Sequence, residues 1–530
     1  MDYVFLILII SVFLNVDSAV ARKQLQSSSA NSFVLGIKHS RMTLLTPKRA
    51  VSSVQSTTGS SSASTHESEP FVMVEPLRAV RDGYLIPLYL GTPPQLIHVY
   101  MDTGSDLTWV PCGNNLSFFH CLDCDDDGIN KKYYLTTAFS PFHSSSTARE
   151  PCSSSFCIDI HSSDNYIDPC TMAGCLLSTL IKSSSSCGSC PSFAYTYGAG
   201  GVVTGMLTRD TLRVHENIND VTISININNN GTIISNPTRE IPNFSFGCVW
   251  STYKEPVGIA GFGRGTLSLP SQLGFLQKGF SHCFLPFKFA NNPNISSPLV
   301  IGNLASISSD QDENLQFTPM LMSSMYPNSY YIGLEAITIG NSSSSSEVPL
   351  SLREFDSRGN GGMLIDSGTT YTHFPEPIYS QLLSTLSSVI SSYPRAEDME
   401  MKTGFDLCYR IPYTNPHNND NTSNSNTIDT TREDFDILPS ITFHFLNNVS
   451  IVLSEGTHFY AMGPPRNATV TKCLLFQRME DGENGPAGVF GSFQQQNMKV
   501  VYDLEKERIG FQPMDCASSA VSHGLHILKP

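Results

Sequence analysis

Val99-Tyr-Met-Asp-Thr-Gly-Ser-Asp-Leu-Thr-Trp-Val-Pro-Cys112 decides how the rest of the chain is read, because its core returns as Met363-Leu-Ile-Asp-Ser-Gly-Thr-Thr370. Each copy runs from apolar residues into an aspartate, a small hydroxyl residue, a glycine and a second hydroxyl. The apolar run predicts a buried strand. The glycine permits the tight turn that ends it, so each copy presents a carboxylate at a strand's end. Asp102 and Asp366 hold the same place in the two copies. Two copies in one chain predict two lobes related by a rough two-fold axis, with an acid pair where the carboxylates meet.

Asp-Thr-Gly alone is a common turn sequence, so the pair needs a second match. Gly258-Ile-Ala-Gly261 follows Asp102, and Gly488-Val-Phe-Gly491 follows Asp366. A glycine after two apolar residues suits a chain that threads close behind each acidic turn. At this point the sequence resembles the pepsin-like aspartic proteases, from about Tyr84 to Cys516. The resemblance implies a mainly β, bilobal fold with pseudo-two-fold related lobes and an active-site cleft between them. It implies lobes at about 83–320 and 321–530, and catalytic roles for Asp102 and Asp366. By the same resemblance Ser105 and Thr369 would bond the outer carboxylate oxygens, and Gly104 and Gly368 would offer backbone N–H groups to the inner side. Ser367 stands where threonine is commoner and keeps the hydroxyl.

Tyr195-Thr-Tyr-Gly-Ala-Gly-Gly201, followed by Val-Val-Thr-Gly205, predicts a hairpin with a glycine-rich tip. Tyr197 matches the family's flap tyrosine, and Trp109, seven residues after Asp102, matches the tryptophan that hydrogen-bonds it. Such a flap would clamp an extended peptide and exclude water. Taken singly, either residue reads as an ordinary core or turn aromatic. Their positions relative to Asp102 favour the functional reading.

The 530 residues suffice for two sizeable cores, and the low 15% of charged residues beside abundant Ser, Asn and Gly favours a loop-rich extracellular β protein. Residues 1–21 read as a signal peptide, with the apolar run Val4–Leu14 and the small-x-small site Ala19-Val-Ala21, although Asp2 replaces the usual basic n-region. Residues 22–82 are Ser-rich and carry +4, against −15 for the whole chain and −2 in the signal, which leaves −17 for residues 83–530. A basic leader could dock over an acidic body at neutral pH and let go as carboxylates protonate. A propeptide, as the resemblance implies, is therefore expected there in preference to a plain spacer.

Strands are expected at 83–90, 96–101, 201–214, 221–227, 330–339, 441–446, 471–476 and 498–502, and the best helix at 376–392, with Ile378, Leu382, Leu386, Val389 and Ile390 on one face. All 14 cysteines lie after residue 111, and nine crowd the span up to Cys190, where the density resembles the nepenthesin-like branch of plant aspartic proteases. Cys121-x-x-Cys124 and Cys187-x-x-Cys190 admit a zinc site, but an oxidising compartment favours disulfides. Among many possible pairings only Cys283 with Cys516 is singled out, as a tie from the C-terminus to the first lobe. The sequons Asn115, Asn230, Asn243, Asn294, Asn341, Asn421, Asn448 and Asn467 are candidate glycan sites, Asn243 being the one a strand would shield. The tracts 341–347 and 413–433 read as exposed insertions, and Gly261-Phe-Gly-Arg-Gly265 lacks the spacing of a phosphate loop.

The expected activity is an aspartic endopeptidase working at acidic pH on peptide or protein substrates, with no cofactor and no metal. The expected protein is a secreted monomer, extracellular (apoplast) or vacuolar, without a membrane anchor, and its acidity argues against nucleic acid. The alternative is a catalytically inactive relative with the same fold that binds or inhibits another protein. A two-carboxylate glycosidase shares the acid pair but leaves the matched turns and the flap unexplained.

Overall fold

The computed structural model describes residues 72–80, 83–113, 119–122, 138–161, 188–198, 200–215, 238–290, 295–302, 314–340, 346–413, 438–454, 456–479 and 484–522. The expected signal peptide, most of the expected leader, the strand at 221–227, Cys124, Cys187 and the sequons Asn115, Asn230, Asn294, Asn341 and Asn421 lie outside these.

Both halves build the same local unit around an acidic turn. Strand Gln95–Asp102 pairs in parallel with Gly258–Gly261, Asp102 lying opposite Gly261. Strand Met363–Asp366 pairs in parallel with Gly488–Gly491, Asp366 lying opposite Gly491. The chain then returns antiparallel in both halves, Trp109 opposite Ile259 and His373 opposite Val489, each seven residues past its aspartate. The closing glycines are required. A Cβ on Gly261 would lie 2.9 Å from the Asp106 Cα, and one on Gly491 would lie 2.5 Å from the Tyr371 carbonyl. The fold is thus mainly β and bilobal.

A sheet made by both halves joins the lobes. Strand Phe280–Cys283 pairs antiparallel with Met498–Asp503, which pairs with Arg508–Pro513. On its other side Phe280–Cys283 pairs with Ser297–Gly302. Buried rings fill this joint: Phe280 stacks on Tyr502 at 4.3 Å, and Tyr84 stacks on Phe284 at 3.9 Å. Cys283 and Cys516 form a disulfide, as expected, with Cα atoms 5.3 Å apart. Cys112–Cys248, Cys157–Cys190 and Cys408–Cys473 are bonded too, and Cys121 and Cys152 are also in disulfides. The sulfurs of Cys121 and Cys190 are therefore committed to disulfides and not to zinc.

Several local expectations are corrected. Within the span 22–82, expected to be a leader, Val72–Val80 is a strand lying between Ser297–Gly302 and Gly83–Leu90. The strand expected over 330–339 is broken at Gly333, where a Cβ would lie 2.5 Å from the Arg353 carbonyl oxygen. The strand expected at 471–476 divides into Thr469–Leu474 and Phe476–Arg478, in different sheets. The helix runs Ile378–Val389 and buries Ile378, Leu382 and Leu386, while Val389 is exposed at the last turn. Glu376, just before it, accepts a hydrogen bond from Ser380 Oγ at 2.9 Å. Asn243 does lie within the long strand Thr238–Tyr253, but the pairing shifts there, its φ is 59° and its side chain is exposed. The strand does not shield it. Asn448 and Asn467 are exposed as well.

Candidate active site

The two acidic turns face each other. A Cβ on Gly104 would lie 2.7 Å from both Cγ and Oδ1 of Asp366, and one on Gly368 would lie 2.7 Å from Cγ of Asp102 and 3.2 Å from Oδ1 of Asp366. Each glycine therefore has no side chain because the other half's carboxylate occupies that space. Gly104 N–H donates to Asp102 Oδ1 at 2.9 Å, and Gly368 N–H donates to Asp366 Oδ1 at 2.8 Å. Thr369 Oγ1 donates to Asp366 Oδ2 at 2.5 Å, and Ser105 Oγ donates to Asp102 Oδ2. The inner oxygens thus take backbone donors and the outer ones take hydroxyls.

Behind the carboxylates the turns exchange bonds. Ser367 N–H donates to Thr103 Oγ1 at 3.0 Å, and Thr103 N–H donates to Ser367 Oγ at 2.9 Å. Thr103 Oγ1 donates on to the Ile365 carbonyl at 3.1 Å, and Ser367 Oγ to the Met101 carbonyl at 2.9 Å. Both residues are buried, Thr103 completely. This reciprocal clasp fixes one carboxylate relative to the other. Sequence reading noted the Ser367 hydroxyl but missed the clasp; the signal was a hydroxyl residue after both aspartates.

Asp102 is 6% exposed, while Asp366 opens further to solvent. Burial, reinforced by the negative charge of Asp366, holds the Asp102 carboxyl well above the usual carboxylate range. The bonds from Ser105 and Gly104 favour the ionised form and offset this only in part. The pair therefore keeps one proton where a lone carboxylate would have lost it.

Strand Ser192–Thr196 pairs with Val202–His215 as the expected hairpin, closed by Tyr197 N–H donating to the Gly201 carbonyl at 2.8 Å. Trp109 is fully buried and its Nε1 donates to the Tyr197 hydroxyl at 2.8 Å. The Tyr197 O–H is left to donate elsewhere. Burial raises its pKa well above the ordinary phenol value, so it stays neutral.

Asp106 was not singled out from sequence. It accepts from Gly265 N–H at 2.7 Å and from Asn328 Nδ2 at 2.9 Å, while Arg264 N–H donates to the Asn328 carbonyl at 2.9 Å. The glycine-rich stretch that fails as a phosphate loop thus cradles a carboxylate of its own chain. Gly265 has no room for a Cβ, which would lie 2.5 Å from Asp106 Cγ.

With this geometry in view, comparison with known proteins places the chain. Residues 84–303 match the family profile described as xylanase inhibitor N-terminal, and residues 329–513 match the one described as xylanase inhibitor C-terminal. A protein of Arabidopsis thaliana named probable aspartyl protease is 29% identical over 467 residues, covering 82% of each chain. The chain belongs to the pepsin-like aspartic protease family. Among its similar members, the aspartic proteinase nepenthesin-2 of Nepenthes gracilis is 28% identical over 84% of this chain and 80% of its own length. Nepenthesin-1 of the same organism is 29% identical over 83% and 79%. The fold is shared with crystal structures of lupine conglutin gamma (TM-score 0.55, 16% identity) and soybean basic 7S globulin (0.54, 17%), each matched over 87% of this chain and 100% of theirs.

Proposed function

We propose that this member of the family is an active endopeptidase that hydrolyses peptide bonds at acidic pH through Asp102 and Asp366. The observation that carries the reading is the meeting of two intact acidic turns, each glycine against the other's carboxylate. In this reading a water between the carboxylates loses a proton to the ionised one as its oxygen attacks the scissile carbonyl carbon. The protonated carboxyl gives its proton to the carbonyl oxygen, so a neutral tetrahedral diol forms. One diol hydroxyl then returns a proton to a carboxylate, the leaving nitrogen takes a proton from the pair, and the C–N bond breaks. The pair ends with the single proton it began with. Asp102 and Asp366 exchange roles across the cycle, so neither is permanently acid or base. Tyr197, braced by Trp109, closes the flap over the peptide.

The protein is secreted as a zymogen in this reading, entering the endomembrane system by residues 1–21 and inhibited by its basic leader. Disulfides fit an oxidising compartment, and no described helix is long and apolar enough to cross a membrane. Glycans would stand on exposed sequons such as Asn448 and Asn467.

A binding or inhibitory role is the second reading, favoured by the descriptions of the two matching profiles. One assay separates the two. Secreted protein is incubated in acid and given a denatured protein substrate at pH 3 to 5, with and without pepstatin. Pepstatin-sensitive cleavage is the expected result. Folded, trimmed protein that cleaves nothing would move the assignment to the binding reading.

A further inference from the structure

One carboxylate beside the flap has no part in the mechanism above. Glu255 follows the strand Thr238–Tyr253 on a turn closed by Thr252 Oγ1 donating to the Glu255 carbonyl at 2.7 Å. Its side chain lies against the flap tip. A Cβ on Gly201 would come within 2.8 Å of Glu255 Cδ and 2.9 Å of its Cγ. The residue is half-buried.

Among the described residues no hydrogen bond or ion pair engages this carboxylate. Lys254, its neighbour, points elsewhere, its Nζ 5.3 Å from the centroid of the Tyr253 ring. The titratable groups around the flap are Tyr195, Tyr197, Asp102 and Asp106, and the Tyr197 phenol feels the charges of Tyr195, Glu255 and Asp102 together. Glu255 therefore acts on the same hydroxyl as Asp102. Burial alone lifts its carboxyl to about 7. A carboxylate removed from water without a partner is costly when ionised, and a cation that arrives beside it relieves that cost.

A peptide held beneath the flap as an extended strand passes its alternate side chains along the cleft walls. We infer that Glu255 is a specificity-determining residue, its carboxylate pairing with a lysine or arginine side chain of the bound peptide. The inference rests on the endopeptidase reading. It carries its own pH signature. In the free protein Glu255 is protonated at pH 4, so pairing must first expel that proton, and the preference for a basic side chain is small. As pH rises toward 7 that cost falls and the preference grows.

The test uses the full secreted chain after acid processing and pairs of quenched fluorescent peptides that differ by lysine against norleucine, scanned through the positions flanking the cut. At one position lysine is expected to exceed norleucine by about tenfold in kcat/KM at pH 6 and by only about twofold at pH 4. Glu255→Gln is expected to hold that ratio near one at both pH values, and Glu255→Asp to keep part of its pH dependence. The ratio is taken within each protein, so a partly misfolded variant does not mimic the effect. Norleucine peptides cut as well as lysine peptides at every position, or a ratio that survives in Glu255→Gln, would overturn the inference and leave the endopeptidase reading standing. If no peptide is cut, that reading fails. Fluorescence anisotropy with the same peptides then decides: tighter binding of the lysine peptide that Glu255→Gln abolishes supports the inference, and equal binding overturns it.

Discussion

Thr103 and Ser367 each spend a hydroxyl on the other half of the chain, and both are buried. Ser367→Ala leaves the Thr103 N–H without its acceptor away from water, at a cost of about 1–3 kcal/mol. Ser367→Thr keeps the hydroxyl and is expected to unfold in urea with the wild-type midpoint, while Ser367→Ala unfolds earlier. The residues legible from sequence were those whose chemistry restricts the side chain: an aspartate at a strand end, a hydroxyl three positions on and a glycine between. Asp106 was not legible, although it lies only four residues past Asp102. Its partners Gly265 and Asn328 are 159 and 222 residues away, and an aspartate in a turn reads the same whether or not they arrive.

The flap shows how a hairpin is tied to the acidic turn beneath it. Trp109 leaves the Asp102 turn, pairs with Ile259 and reaches up to the Tyr197 hydroxyl. Trp109→Phe and Tyr197→Phe each remove that bond and are expected to lower kcat/KM by roughly tenfold, with the double variant no worse than either alone, because both act through one contact. Additive losses in peptide cleavage would refute the shared contact. At the leader, the strand Val72–Val80 pairs on both sides. The acid-trimmed protein is accordingly expected to begin before Val72, which N-terminal sequencing reads directly; a start after Val80 would mean that the sheet tolerates losing a central strand. Periodicity found most strands and the longest helix. It missed the pairing of Val72–Val80, whose neighbour Ser297–Gly302 lies far along the chain, and the break at Gly333, where the distant Arg353 carbonyl leaves no room for a side chain.

The lobes are joined by a sheet that no local pattern announces, since Phe280–Cys283 and Met498–Asp503 meet across more than two hundred residues. His282 sits in that joint, 1% exposed, stacked on Phe284 at 3.9 Å. Burial lowers its pKa to about 3, against 6.5 ordinarily. Below the unfolded value the unfolded chain binds a proton that the folded one refuses, so stability is full above about 6.5 and falls as pH drops toward 3. By pH 4 the loss is on the order of 3 kcal/mol. His282→Phe, which keeps the stack, is expected to narrow the difference in Tm between pH 7 and pH 4; an unchanged difference would contradict the neutral histidine. The central claim, that the two lobes bring Asp102 and Asp366 together to act as one catalytic unit, is tested most directly by kcat of Asp102→Asn, Asp366→Asn and the double variant, each shown folded by its disulfides and circular dichroism. The account predicts that each single change lowers kcat by about four orders of magnitude or more, and that the double variant loses no more than the worse of the two. Activity that survives either substitution, or losses that multiply in the double variant, would contradict it.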